Sequence, residues 1–169
     1  GGCDVGCHWC DVKESWDENS HPIISVEEIV KKSAGFSDSV VVTGGEPLMW
    51  NMNPLTKALK KLDKKTHIET SGAYPLTGVW DWVCLSPKKA KLPTQDAYNH
   101  AHELKIIIYN NHDFKFAEQE AKKVNKNAIL YLQPEWGKRE EMMPLMVDFI
   151  KKNPKWKISL QTHKYLNIP

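Results

Sequence analysis

Six short apolar runs punctuate the chain, at 39–43, 66–70, 80–85, 104–109, 128–132 and 156–161. Each is too short for a buried helix and rich in β-branched or aromatic residues, which predicts strands. Segments of helical character separate them. Ser25 followed by Glu28 forms a capping box that opens a helix over Val26–Ser33, and Leu55, Leu59 and Leu62 recur at helical spacing within 53–62. Further helices are expected around 114–124 and 139–151, with a polar loop at 13–20. Strands that alternate with helices imply a parallel sheet. The runs close on TGGEP, ETSG, LSPK and LQPE, so polar groups stand at the carboxyl ends of strands, where α/β barrels and open sheets build their sites. The lysine-rich stretches 57–65 and 122–126 are expected to be solvated helix surface. Neither repeats nor low-complexity tracts interrupt the pattern, so 1–169 is expected to be a single domain.

Composition narrows the function classes. With 23 Lys+Arg against 21 Asp+Glu, the net charge of +2 gives no electrostatic case for nucleic acid or an anionic membrane. No run approaches the roughly 18 apolar residues of a membrane span, which leads us to expect a cytoplasmic protein. Three of the 4 cysteines crowd into the segment CDVGCHWC near the amino end, which points to metal or cofactor ligation and not to a disulfide framework. The sequence opens on Gly1-Gly2-Cys3 without Met, and a cysteine loop in a parallel-sheet protein needs a strand feeding it. The expectation is an N-terminally incomplete chain.

Three thiolates do not by themselves name the metal. A structural zinc site closes with four ligands, and here the fourth would have to be His8 or the distant Cys84, with no second C-x2-C pair to help. A zinc-binding interaction module is the alternative on that side. A cubane cluster held by three cysteines leaves one iron without a protein ligand, and an open iron suggests chemistry. Cys84 itself sits in an apolar run and is expected to be core. His100, His102 and His112 have no metal-ligand spacing.

The spacing of Cys3, Cys7 and Cys10, with Trp9 before the last ligand, closely resembles the signature of the radical S-adenosylmethionine (SAM) superfamily. The segment Val41-Val42-Thr43-Gly44-Gly45-Glu46-Pro47 resembles that superfamily's GGEP motif. The resemblance implies a [4Fe–4S] cluster on Cys3, Cys7 and Cys10, and SAM bound at its open iron. It also implies an abbreviated (β/α) barrel of about six parallel strands with helices outside.

Further segments are similar to the 7-carboxy-7-deazaguanine synthase family: Cys10-Asp11, Glu69-Thr70-Ser71-Gly72, Leu85-Ser86-Pro87-Lys88, Leu132-Gln133-Pro134-Glu135 and the tail from Leu160 to Pro169. This implies a lyase of queuosine and 7-deazapurine biosynthesis that converts 6-carboxy-5,6,7,8-tetrahydropterin to 7-carboxy-7-deazaguanine and ammonia. The implied SAM-binding residues are Gly45, Ser86, Pro87, Lys88, Gln133, Pro134, Glu135 and Trp136. Thr43 and the α-carboxylate of Pro169 would contact substrate, with Asp11, Gly44, Glu46 and Glu69 as secondary candidates. The family's usual Thr ligand to Mg²⁺ is here Val12, which offers no oxygen. A homodimer and an external electron donor such as flavodoxin or ferredoxin are the implied partners. The nearest alternative in the superfamily is an activase that installs a glycyl radical on a partner enzyme.

Overall fold

The computed structural model describes residues 1–168. The chain divides into two compact units, the first spanning Gly1–Ala101 and the second beginning at His102. Pro169 lies outside the described residues.

In the first unit three strands, β1 (Ser39–Val42), β2 (Lys65–Thr70) and β3 (Trp82–Leu85), pair in parallel with Val40 opposite Thr66 and Ile68 opposite Val83. Helix α1 (Val26–Ser33) precedes β1, and α2 (Asn53–Lys60) crosses from β1 to β2. The Ser25 hydroxyl accepts the Glu28 N–H and caps α1 where the sequence predicts, while the Glu28 carboxylate pairs with Lys32 one turn on. Leu48, Ile68 and Val83 form a core on which Met52, Tyr74, Leu76 and Trp80 pack. A third helix, α3 (Gln95–His100), follows β3. It has no apolar periodicity to announce it, and starts where the Thr94 hydroxyl accepts the Ala97 N–H.

The second unit repeats the alternation: β4 (Glu103–Ile108), α4 (His112–Ala121), β5 (Ile129–Pro134), α5 (Arg139–Lys152), β6 (Trp156–Ile158) and α6 (Thr162–Leu166). Its strands are parallel, with Ile106 opposite Leu132 and Leu130 opposite Trp156. Leu104, Ile106 and Ile108 are buried in β4. Behind them Phe149 of α5 stacks on Phe114 of α4 at 4.9 Å and meets Trp156 edge-on. The Asp113 carboxylate accepts the Tyr109 and Asn110 N–H groups, both at 2.8 Å, and fixes the turn from β4 into α4.

Several expectations change. β5 runs on through Gln133 to Pro134 instead of stopping at 132, and the stretch 122–126 follows the end of α4 and is not helix surface. The last strand stops at Ile158 instead of 161: Ser159 N–H still donates to Leu132 O, but the exposed Leu160 has no core to face and the chain turns into α6. Within 57–65, Lys64 is 7% exposed, not solvated. Its Nζ donates to the carbonyls of Phe36 and Ser37 in the loop that leads into β1.

The entry into β2 is tied by Asp81. Its Oδ2 accepts the Thr66 N–H at 2.6 Å and pairs with Lys60 at the end of α2. Lys60 first, then the Thr66 N–H, holds this carboxyl down from 3.8 to about 2. A depressed folded value means the contribution is complete above the unfolded pKa and fades as pH falls from 3.8 toward about 2. The side chain is 41% exposed, so solvent screening reduces the pair. Asp81→Asn is expected to cost about 1 kcal/mol at neutral pH. Denaturant midpoints measured across pH should show the difference from wild type vanishing on the acid limb.

Candidate functional site

The carboxyl ends of β1, β2 and β3 carry Thr43-Gly44-Gly45, Ser71-Gly72 and Ser86-Pro87-Lys88. Against them lies the cysteine loop. Gly2 N–H donates to Ser15 O and Cys3 N–H to Trp16 O, while Cys10 N–H donates to Cys7 O at 2.9 Å and closes the turn between the last two cysteines. Cys3, Cys7 and Cys10 are free thiols and half-buried; Cys84 is in no disulfide and is buried in β3. Burial pushes the Cys3 and Cys7 thiols up, and the Lys88 cation opposes that effect on Cys7. A metal that takes these sulfurs as thiolates therefore displaces protons.

The loop and the glycine turn touch directly. Gly2 O accepts the Glu46 N–H at 2.8 Å. A Cβ at Gly45 would stand 2.1 Å from Gly2 O and 3.1 Å from Cys3 Cβ, so only glycine lets the loop lie this close. Gly44, at φ +126°, has backbone that other residues rarely adopt. Glu46 is 2% exposed. Its Oε1 accepts the Leu48 N–H and the Thr70 hydroxyl, and its Oε2 accepts the Ser71 N–H at 2.7 Å and the Ser71 hydroxyl. The carboxylate thus braces the end of β1 to the end of β2. Among the secondary candidates, Glu46 faces inward, whereas Asp11, Gly44 and Glu69 are exposed, as are Thr43 and Val12.

Asp4, between the first two cysteines, receives hydrogen bonds from Lys91 Nζ at 2.7 Å and from the Tyr74 hydroxyl. Lys91 and then Tyr74 hold its carboxyl below the usual range. Lys91 also lies 4.0 Å from the Tyr74 ring centroid. Sequence reasoning missed this clamp, because its members are 70 and 87 residues away from Asp4 along the chain. The only signal was a carboxylate inside the cysteine motif. Beside it, Ser86 and Pro87 are buried, and Lys88 Nζ donates to Ser86 O and to the Ser86 hydroxyl while standing 5.9 Å from the Trp9 ring.

The second unit places Gln133, Pro134, Glu135 and Trp136 at the end of β5. Gln133 Oε1 accepts the Ser159 hydroxyl, and the Glu135 carboxylate accepts the Gly137 and Lys138 N–H groups. Trp136 is half-buried, with Arg139 4.4 Å from its ring centroid. The Pro169 carboxylate expected at the substrate lies outside the described residues. Among the described residues, no three His, Cys, Asp or Glu side chains gather tightly enough for a single metal ion. A cubane spreads its cysteines over separate irons.

Comparison with known proteins follows the same lines. The Radical SAM superfamily profile matches residues 1–85. A 7-carboxy-7-deazaguanine synthase of Flavobacterium psychrophilum is 64% identical over 169 residues, covering 100% of this chain and 80% of the relative. That of Synechocystis is 50% identical, covering 99% of this chain and 81% of the relative. The crystal structure of QueE from Escherichia coli superposes with a TM-score of 0.83 at 26% identity, over 95% of this chain and 82% of that one. Six parallel strands flanked by helices, matched over nearly the whole chain, agree with the abbreviated barrel expected from the sequence.

The Glu46 brace makes a direct prediction. In Glu46→Gln one acceptor oxygen becomes an NH₂ donor facing groups that themselves donate, so buried partners lose their acceptor. The expected cost is about 3 kcal/mol. Chemical denaturation of the metal-free chain should show the loss, and an unchanged midpoint would mean that the carboxylate is not buried among these donors.

Proposed function

The chain belongs to the 7-carboxy-7-deazaguanine synthase family within the radical SAM superfamily, and from that membership we propose how its own residues carry the reaction. It is a radical SAM lyase of queuosine biosynthesis that works with an iron–sulfur cluster and SAM on a small molecule, driven by a reductant. The activase and the zinc-binding module give way to that membership. The substrate we propose is 6-carboxy-5,6,7,8-tetrahydropterin, converted to 7-carboxy-7-deazaguanine with release of ammonia.

Contact between the cysteine loop and the glycine turn, Gly2 O on the Glu46 N–H with Gly45 packed on Cys3, is the observation that carries the site. The donor set suits the cluster: Cys3, Cys7 and Cys10 are free, half-buried and held in one loop. A [4Fe–4S] cluster with one open iron supplies, when bound, the electron that cleaves SAM to a 5′-deoxyadenosyl radical able to take hydrogen from the pterin. The chain's task is then to bind, orient and exclude water. Gly45 lets backbone approach the cofactor's methionine end; the SAM contacts we propose are Ser86, Pro87 and Lys88 in the first unit and Gln133, Pro134, Glu135 and Trp136 in the second. Thr43 and the Pro169 carboxylate hold the pterin, with Asp11, Gly44 and Glu69 as flanking groups. The role of Glu46 is to brace the turn.

Val12 has no oxygen to offer Mg²⁺, so a magnesium ion would rest on substrate carboxylate, Asp11 and water. We further propose that 1–169 acts as one radical SAM domain, since the relatives and the solved structure align across both units. The remaining proposals are a cytoplasmic homodimer and an electron donor of the flavodoxin or ferredoxin class. Among the described residues no helix is long and apolar enough to cross a membrane.

Two experiments test this assignment. Anaerobically reconstituted protein should hold about four irons per chain. Replacing Cys3, Cys7 or Cys10 by Ala should abolish 5′-deoxyadenosine formation, whereas Cys84→Ala retains it; a Cys84 variant that loses its iron would overturn the ligand set. Extending the chain beyond Pro169 replaces the terminal carboxylate with an amide. The expected loss in pterin affinity is about 1.5–3 kcal/mol, the scale of a charged hydrogen bond, read as a raised KM for the pterin.

A further inference from the structure

The last described element, α6 (Thr162–Leu166), has five residues and none of them is buried. A helix of that length does not persist alone in water and needs a tertiary hold. Trp136 provides one. The Tyr165 ring meets the Trp136 ring edge-on, with centroids 5.0 Å apart and planes at 78°. Lys164 Nζ stands 5.4 Å from the same centroid, as a cation over the aromatic face. Trp136 is itself immobilised, since Arg139 Nη1 donates to its carbonyl at 2.8 Å and the Glu135 carboxylate caps the turn it begins. Past α6, Asn167 adopts the left-handed conformation at φ 51°, and both its N–H and that of Ile168 donate to His163 O. The direction of the described tail, through Ile168, is therefore set by α6, and the placement of α6 is set at Trp136.

We propose that Tyr165 and Lys164 are positioning residues that latch the carboxyl-terminal tail onto Trp136, and that this latch sets the enzyme's affinity for its pterin substrate. The proposal rests on the assignment of the Pro169 carboxylate to substrate binding. A carboxylate on a loose tail is in place only a fraction of the time, and apparent affinity falls in proportion to that fraction. Tyr165 is 52% exposed, so its contact with Trp136 is not a by-product of core packing. Trp136 also begins the turn proposed to line the SAM site.

The experiment compares reconstituted holoenzymes carrying Tyr165→Ala, Tyr165→Phe or a C-terminal extension with the wild type. Iron content serves as the control for folding. Amide hydrogen exchange over 162–168, without substrate, reads the latch independently of turnover. Tyr165→Ala should speed that exchange and raise the pterin KM about tenfold, as when the docked fraction falls from most molecules to one in ten, with kcat changed less than about twofold. Tyr165→Phe should restore both, because the edge contact needs the ring and not the hydroxyl. A wild-type KM in Tyr165→Ala, or a raised KM without faster exchange, overturns the latch. If the extension raises KM and Tyr165→Ala does not, the latch fails and the carboxylate assignment stands. If Tyr165→Ala raises both exchange and KM while the extension is neutral, the carboxylate assignment fails and the latch is upheld through other tail atoms.

Discussion

A single buried carboxylate holds the first unit's working edge together. Glu46 leaves the end of β1 and spends its two oxygens on Leu48, Thr70 and Ser71, so that two parallel strands are tied where the ladder between them runs out. A charge at that depth is tolerable only because each lone pair meets a donor. Its own N–H then faces outward and takes the Gly2 carbonyl. The result is a chain of dependence: side chain to strand ends, backbone to cysteine loop. Remove the carboxylate and the glycine turn loses its footing, and with it the surface on which Cys3 is laid.

Around that brace the protein does little chemistry of its own, which is why acid–base pairs are absent from the motifs that matter. The reactive steps belong to groups bound at strand ends, and side chains there serve as struts. Glu135 caps a turn, Gln133 is tied to Ser159, and Asp4 clamps the cysteine loop to Tyr74 and Lys91. Several residues that look like ligands in the sequence have part of their hydrogen-bonding capacity committed to the scaffold. Such rigidity suits a site that must hold two reactants at one distance and keep a radical from water.

Much of this was legible from the chain alone, for identifiable reasons. The Ser25 cap marks the start of α1 to the residue, because the hydrogen bond its hydroxyl accepts from the Glu28 N–H is local. The ends of β2 and β3 were readable from the Ser and Gly or Ser and Pro that follow them, and the cysteine spacing led to its chemistry through its resemblance to the radical SAM signature. What escaped was long-range or weakly patterned. Lys64 is drawn inward by two carbonyls nearly thirty residues upstream in sequence, and nothing in the run 57–65 announces it. Helices α3 and α6 are too short for periodicity to register. The Asp4 clamp and the Trp136 contact join segments whose proximity only the fold decides.

Cys84 shows what the burial of one thiol means for durability. A cluster with an iron open to small molecules is open to oxidants too, and when it is lost three half-buried thiols remain at the surface loop. The fourth is 2% exposed inside β3, where neither oxidant nor a neighbouring thiolate finds it. Oxidation in air would therefore fall first on Cys3, Cys7 and Cys10, which share one loop.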